Sequence, residues 1–141
     1  MLSIHSTPTS GSEFRARIKF LELLNIMMND TLKSKYHTIS NGITYLEKHF
    51  IENTEISYLA EMCNMSIAYF RRLFKDYCGH SPVRYRNILR IKKAAELMTY
   101  GEHNVQSAAD AVNIHDVYYF SKPFKKITGM SPAGYKKFFT K

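Results

Sequence analysis

Cysteine is scarce in this sequence. Only Cys63 and Cys78 occur, fifteen positions apart, and neither has a Cys or His neighbour at zinc-ligand spacing. We expect both thiols to be buried and reduced, as in an intracellular protein. The six histidines are scattered and form no His-x-x-x-His pair. The sequence therefore predicts no metal site, no cofactor and no enzymatic activity.

Long hydrophobic runs are also absent. No segment approaches the roughly eighteen consecutive apolar residues that a membrane-spanning helix requires. The N-terminal sequence MLSIHSTPTSGS lacks the charged start and continuous apolar stretch of a signal peptide. These two absences predict no membrane partner and a cytoplasmic location.

Acidic residues are few relative to basic ones. Twelve Asp and Glu oppose twenty Lys and Arg, which gives a formal net charge of +8 over 141 residues. Such an excess indicates an anionic partner, most often nucleic acid or an acidic membrane surface. Because many soluble proteins are basic, the charge alone decides little.

Two segments fifty residues apart are nearly the same. Residues 69–82 read YFRRLFKDYCGHSP, and residues 119–132 read YFSKPFKKITGMSP. Self-similarity at a fixed distance indicates one supersecondary unit that is used twice. The unit consists of a short helix, a second helix with a basic face, a glycine that ends it, and a proline that begins the next helix.

Helical periodicity dominates the chain, and no segment alternates as a strand would, so we predict an all-α fold. Residues 1–12 are rich in Ser, Thr, Pro and Gly and are predicted to be disordered. Elsewhere the pattern predicts a helix over 13–30, a linker over 31–38, a helix over about 40–50, a first helix-turn-helix over about 55–78, a central helix over about 82–100, a second helix-turn-helix over about 104–128 and a final helix over about 132–139.

The ends of these helices follow from turn chemistry. Asn64 and Asn113 are predicted to take the left-handed conformation that closes each tight turn. Thr54 or Glu55 is expected to cap the first short helix and Asn104 its counterpart. In both copies Gly ends the basic helix, Ser caps the next helix, and Pro lies in its first turn, where no N–H is needed.

Each basic helix has two contrasting faces at about 100° per residue. The apolar faces are predicted to carry Phe70, Leu73, Phe74 and Tyr77 in the first copy, and Phe120, Pro123, Phe124 and Ile127 in the second. The opposite faces are predicted to bind DNA through Ala68, Arg71, Arg72 and Lys75, and through Tyr118, Ser121, Lys122 and Lys125. A single charged face is usually only solvated, but two copies favour helix-turn-helix motifs, whose second helix enters the major groove.

The side-chain types suggest different tasks. The arginine fork can bond guanine O6 and N7 together, which favours Arg71 and Arg72 as base readers. Lys75, Lys125 and Lys126 are expected to contact phosphates, which position a protein without specifying sequence. Val117 and Tyr118 could meet thymine methyl groups or pack within their own lobe.

These residues closely resemble the DNA-binding domain of the AraC/XylS family of bacterial transcription regulators. The resemblance covers about residues 40–141, within a predicted domain of 36–141, and is strongest in FSKPFKKITGMSPAGYKK at 120–137. It implies two helix-turn-helix subdomains joined by a long central helix, seven helices in all, here with one N-terminal helix added. The family's base-reading positions fall on Ala68, Arg71 and Arg72, and on Val117, Tyr118, Ser121 and Lys122.

Three departures from the family pattern are visible. Asn64 and Asn113 stand where the family often has glycine, and asparagine tolerates the same backbone. Pro123 lies inside the second basic helix, where it deletes a hydrogen bond, so we predict a bent or weakened helix. Residues 13–35 resemble the end of a sensing or dimerisation domain; they could be its remnant, a weak homodimer contact at 13–30, or a helix packed on the first lobe.

The sequence therefore predicts sequence-specific binding of double-stranded DNA by a transcription activator that reads two adjacent major-groove segments. RNA polymerase is a further partner that this implies. The main alternative is a helical module that docks an acidic protein partner. A methyl-accepting DNA repair enzyme is a third alternative, but it would need an activated cysteine.

Overall fold

Eight α-helices and no strand occur in the part of the chain that the computed structural model describes, residues 10–101 and 103–140. The all-α fold predicted from the sequence is confirmed. In chain order the helices are α1 (Ser10–His37), α2 (Ser40–Lys48), α3 (Ile56–Met62), α4 (Ile67–Cys78), α5 (Pro82–Thr99), α6 (Val105–Ala111), α7 (Val117–Thr128) and α8 (Pro132–Phe139).

The first helix is longer than predicted at both ends. Residues 1–9 of the expected disordered tail lie outside the described residues, but Ser10–Ser12 already form the first turn of α1. The expected linker over 31–38 is wrong, because α1 continues to His37. This segment contains no Gly or Pro to end the helix, and Thr31 Oγ1 donates to the carbonyl of Met27 within it.

Two compact units divide the chain, one ending at Thr38 and the other beginning at Ile39. In the first unit, apolar side chains of α1 such as Phe14, Leu21 and Met28 are more than 60% exposed. The second unit holds both repeated motifs.

The first lobe of the second unit consists of α2, α3 and α4 packed beside the start of α5. Its buried apolar residues are Ile39, Leu46, Ile56, Leu59, Ala60, Cys63, Phe70, Leu73 and Phe74. Gly42 lets α2 approach α4 closely, since a Cβ there would lie 2.8 Å from the Phe70 ring. Tyr77, which we predicted on the apolar face, is instead 56% exposed because it lies beyond the edge of this core.

The second lobe consists of α6, α7 and α8, and it packs against α5. Its core is made of Ile91, Ala94, Ala95, Met98, Ala108, Ala109, Val112, Ile114, Phe120 and Phe124. The small side chains of Ala94 and Ala95 on α5 and Ala108 and Ala109 on α6 are all buried, so the two helices can pack closely. The central helix therefore contributes directly to the core of this lobe.

Turn geometry agrees with the sequence in most places. Asn64 and Asn113 have φ of 53° and 61°, and Gly79 and Gly129 have φ of 74° and 83°. Ser81 accepts from the N–H of Arg84 at the start of α5. Glu55 is an exception: it occupies the N-cap position of α3, but its carboxylate accepts from Ser57 Oγ at 3.0 Å instead of capping the helix.

Candidate nucleic-acid interface

The exposed face of α4 is short and cationic. Phe70, Leu73 and Phe74 are fully buried, and this orientation leaves the opposite face of the helix in solvent. That face carries the exposed residues Ala68, Arg71, Arg72 and Lys75. All four residues predicted from the first motif therefore lie on one accessible surface.

Arg72 is partly oriented by its own helix. Its guanidinium carbon lies 5.2 Å from the centre of the Tyr69 ring, one turn earlier. Cations are attracted to the faces of aromatic rings, and the stacked arrangement restricts the long side chain. An arginine held in this way loses less conformational entropy when its fork meets a base edge.

The exposed face of α7 has a different chemistry. Tyr118 is 93% exposed, Lys122 and Lys125 are exposed, and Val117 and Ser121 are half-buried. Ser121 Oγ donates to the carbonyl of Val117 at 2.7 Å, so its oxygen remains available as an acceptor. The five predicted residues of the second motif thus include two cations, one large aromatic ring and one hydroxyl.

Pro123 does not interrupt α7. The helix runs from Val117 to Thr128, twelve residues like α4, and Asp116 caps it by accepting from the N–H of Tyr118 and of Tyr119. Proline has no N–H to offer the carbonyl of Tyr119 one turn earlier, so the helix has one backbone bond fewer at this point. The bend of the axis remains a prediction.

Carboxylates are nearly missing from both helices. Within α4 the only one is Asp76, and α7 has none between Val117 and Thr128. The two helices together carry six Lys and Arg against this single acid. The pair of exposed faces is therefore a region of positive potential that favours an anionic ligand.

Further basic side chains line two grooves at the basic helices, and of these additional residues only Lys126 was predicted from the sequence. Arg86 of α5 lines the same groove as Arg71. His80, Arg84 and Lys126 line a cleft together with Ile88, Pro123 and Ile127, between the start of α5 and the flank of α7. The sequence places Arg84 and Arg86 in the connecting helix, and only the fold brings them beside the basic helices.

Neither cysteine is activated as a nucleophile. Burial raises the pKa of Cys63 despite a hydrogen bond involving the backbone of Gly42, which lowers it. Burial and the Glu47 carboxylate raise the pKa of Cys78 from 9.0 to about 11. Cys78 is only half-buried, which differs from our prediction, because it ends α4. Both thiols therefore stay protonated near neutral pH, contrary to what alkyl transfer to sulfur requires.

No helix among residues 10–101 and 103–140 combines the length and the apolar character needed to cross a bilayer. In the same ranges, no three His, Cys, Asp or Glu side chains are grouped so that they could hold a metal ion.

A family model described as a helix-turn-helix domain matches residues 59–137. The raffinose operon transcriptional regulatory protein RafR of Pediococcus pentosaceus is 33% identical over 96 residues, which cover 68% of this chain and 35% of that protein. The uncharacterized HTH-type transcriptional regulator YisR of Bacillus subtilis is 29% identical over 136 residues, 94% of this chain and 47% of YisR. The chain thus spans between a third and a half of the length of these relatives.

Solved structures show the same arrangement of helices. The C-terminal domain of AraT, a response regulator from Geobacillus stearothermophilus, has a TM-score of 0.64 at 31% identity and covers 72% of this chain and 84% of that one. The DNA-binding domain of the transcriptional factor AdpA, in complex with a target DNA, has a TM-score of 0.65 at 22% identity over 72% of this chain and 91% of its own. The AdpA likeness shows the fold alone.

Proposed function

The chain belongs to the AraC/XylS-type helix-turn-helix family of transcription regulators, and from that membership we propose a specific function. The protein binds double-stranded DNA in a sequence-specific way, with α4 and α7 in two adjacent major-groove segments. It acts as a transcription activator in the cytoplasm and performs no catalysis of its own.

The observation that carries this proposal is the equivalence of α4 and α7. Both have twelve residues, both follow a short helix and an Asn turn, and both expose a face rich in cations. The central helix α5 has eighteen residues, which is about 27 Å at 1.5 Å per residue. Successive major-groove segments on one side of a duplex lie about 34 Å apart. Two lobes at the ends of such a spacer suit that separation.

The proposed roles follow from side-chain chemistry. Arg71 and Arg72 read base edges, and guanine is the base that suits their fork. Lys75 and Lys125 contact phosphates and set the register. In the second half-site Tyr118, with Val117 beside it, meets thymine methyl groups. Ala68 leaves room for the close approach of α4, and Ser121 and Lys122 complete the second reading surface.

Two finer parts of the proposal concern protein partners. Relatives named transcriptional activator RhaS, from Salmonella and Escherichia coli strains, match 82% of this chain. This supports activation, and hence contact with RNA polymerase.

We also propose that the chain is a monomer that forms a weak homodimer through residues 13–30, because the apolar side chains of α1 are exposed. Light scattering of the full chain and of a Leu21→Lys, Leu24→Lys variant over a range of concentrations tests this.

Selection of bound duplexes from a random pool tests the main proposal. We expect an asymmetric site with two half-sites about one helical turn apart, since the two reading faces differ. Binding should weaken by roughly 10³-fold between 50 and 200 mM salt if about six phosphates are contacted. Enrichment of no sequence, together with capture of acidic proteins, would favour the alternative of a protein-docking module.

A further inference from the structure

A buried arginine holds the loop between α2 and α3. Arg90, near the middle of α5, is 5% exposed. Its Nε donates to the carbonyl of Phe50 at 2.7 Å, and its Nη2 donates to the carbonyl of Ile51 at 2.7 Å. The same Nη2 also donates to the backbone carbonyl of Glu52 and to the side-chain Oδ1 of Asn53, each at 3.0 Å. One planar guanidinium thus engages four oxygens of a single loop.

The same loop is bonded to the second motif. Asn113 Nδ2 donates to the carbonyl of Ile51 at 3.1 Å, across 62 residues of sequence. The carbonyl of Ile51 therefore accepts from both the central helix and the turn between α6 and α7. On its other side, Asn113 Oδ1 lies 3.1 Å from His115 Nε2, whose ring pairs with Asp110, so the amide is held in this orientation.

These contacts are well suited to hold the loop between α2 and α3 in one position relative to α5 and to the turn between α6 and α7. Burial lowers the pKa of Arg90, and the nearby Arg86 lowers it further, yet an arginine remains charged under ordinary conditions. Its bonds go to loop oxygens and not to a carboxylate, so charge-assisted bonds hold the loop without an ion pair. Arg86 extends the arrangement by donating to the carbonyl of Thr54 at 2.8 Å.

We propose that Asn113 is a positioning residue for DNA recognition, and that its bond to the Arg90-held loop fixes the orientation of α7 relative to α4. The protein consequently discriminates between operators by the spacing of their half-sites as well as by their bases. This inference rests on the proposed function, because spacing has meaning only if both helices read DNA.

The first motif supplies a matched control. Asn64 has the same left-handed backbone as Asn113, with φ of 53° against 61°. Among the hydrogen bonds between described residues, none joins the Asn64 side chain to the other lobe. Glycine adopts this backbone conformation readily. Asn113→Gly therefore preserves the turn and removes the bond, and Asn64→Gly repeats the backbone change without touching the contact between lobes.

The experiment measures affinity for the selected duplex and for duplexes with one base pair added or removed between the half-sites. Each such change turns one half-site by about 35° around the axis, since a turn holds about ten base pairs. We expect the parent and Asn64→Gly to lose about tenfold or more in affinity, comparable to one mismatched base pair. Asn113→Gly should lose less than about threefold while its melting temperature stays close to that of Asn64→Gly. If the added or removed base pair lowers the affinity by the same factor in all three proteins, the proposal is overturned.

A second measurement works without DNA. Nitroxide labels at Asp76→Cys on α4 and Lys126→Cys on α7, in a variant lacking Cys63 and Cys78, report the distance between the two helices. The distance distribution should broaden in Asn113→Gly and stay narrow in Asn64→Gly. An unchanged width in Asn113→Gly contradicts the positioning role even if DNA binding is normal. A parent protein that selects no duplex overturns the proposed function itself, whatever the labels report.

Discussion

The two helix-turn-helix motifs share their packed core and differ in the side chains that α4 and α7 expose. Phe70 and Phe74 lie with ring centres 5.6 Å apart, and their counterparts Phe120 and Phe124 lie 5.2 Å apart. The second ring of each pair meets a tyrosine of the following helix edge-on, at 5.4 Å in the first lobe and 5.3 Å in the second. The repeated phenylalanines are therefore core residues in both lobes.

Two neighbouring exposed positions of the basic helices, in contrast, have diverged. Where α4 has Arg71 and Arg72, α7 has Ser121 and Lys122. Two arginine forks favour hydrogen bonds to guanine, whereas a hydroxyl and an ammonium are less selective. The repeated core and the changed exposed side chains are the basis for the proposal that each copy reads its own half-site.

The shared scaffold predicts equal losses of stability when either core is opened. Phe74→Ala and Phe124→Ala should each lower the free energy of unfolding by about 3–5 kcal/mol, because each removes a fully buried ring. Denaturant unfolding followed by circular dichroism measures both. The control is Tyr118→Ala, an exposed position where about 0.5 kcal/mol or less is expected. Losses that differ by more than about 2 kcal/mol would show that the lobes are not equivalent.

The divergent surface predicts a specific loss from the first motif. Arg72→Ala should cost about 1–3 kcal/mol on the selected duplex and relax the preference at one base pair. Lys125→Ala is the matched control: it should weaken binding to all duplexes alike and reduce the salt slope by about one. Fluorescence anisotropy with selected and random duplexes measures both. If Arg72→Ala weakens random DNA equally, Arg72 contacts only phosphate.

Pro123 is the sharpest difference inside the two basic helices, because its counterpart is the fully buried Leu73. Pro123→Ala should raise the free energy of unfolding by about 1–2 kcal/mol, less than the roughly 3 kcal/mol of an exposed helix, since α7 already accommodates the ring. Hydrogen exchange along α7 should slow. As a contrast, Leu73→Ala should destabilise the first lobe by about 2–5 kcal/mol. Destabilisation by Pro123→Ala would mean that the ring is a packing element.

Most helices could be predicted from local chemistry, whereas contacts between distant segments could not. The caps, the left-handed Asn turns and the apolar periodicity each depend on a few neighbouring residues. Arg90 looks in the sequence like one more cation of the connecting helix, and only the fold shows that it is buried against carbonyls from residues 50–52. The hydrogen bond from Asn113 to Ile51 joins residues 62 positions apart, and no local sequence pattern predicts it. The helix α1 extends past its predicted end to His37, because a polar segment without Gly or Pro can continue a helix.

The smallest expected effect concerns the equivalent tyrosines of the two motifs, Tyr85 and Tyr135, whose hydroxyl groups have different hydrogen-bond partners. Tyr85 donates to Glu47 Oε1 at 2.7 Å, whereas its counterpart Tyr135 pairs with the Thr99 hydroxyl at 3.2 Å. The hydrogen bond to Glu47, followed by burial, raises the pKa of Tyr85 from 10.0 to about 12. A phenol with a higher pKa in the folded protein holds its proton more tightly there. Its stabilising contribution is complete below about pH 10 and is lost as the pH rises from 10 through about 12.

The free energy of unfolding of Tyr85→Phe should therefore fall less with rising alkaline pH than that of the parent. Thermal melts between pH 8 and pH 12 measure this, and they must be read as differences between variants. Cys78, whose pKa is raised from 9.0 to about 11, loses its own contribution as the pH rises from 9 through about 11 in both proteins. If Tyr85→Phe follows the parent curve, the bond to Glu47 contributes nothing in solution. Tyr85 would then add no difference between the two motifs.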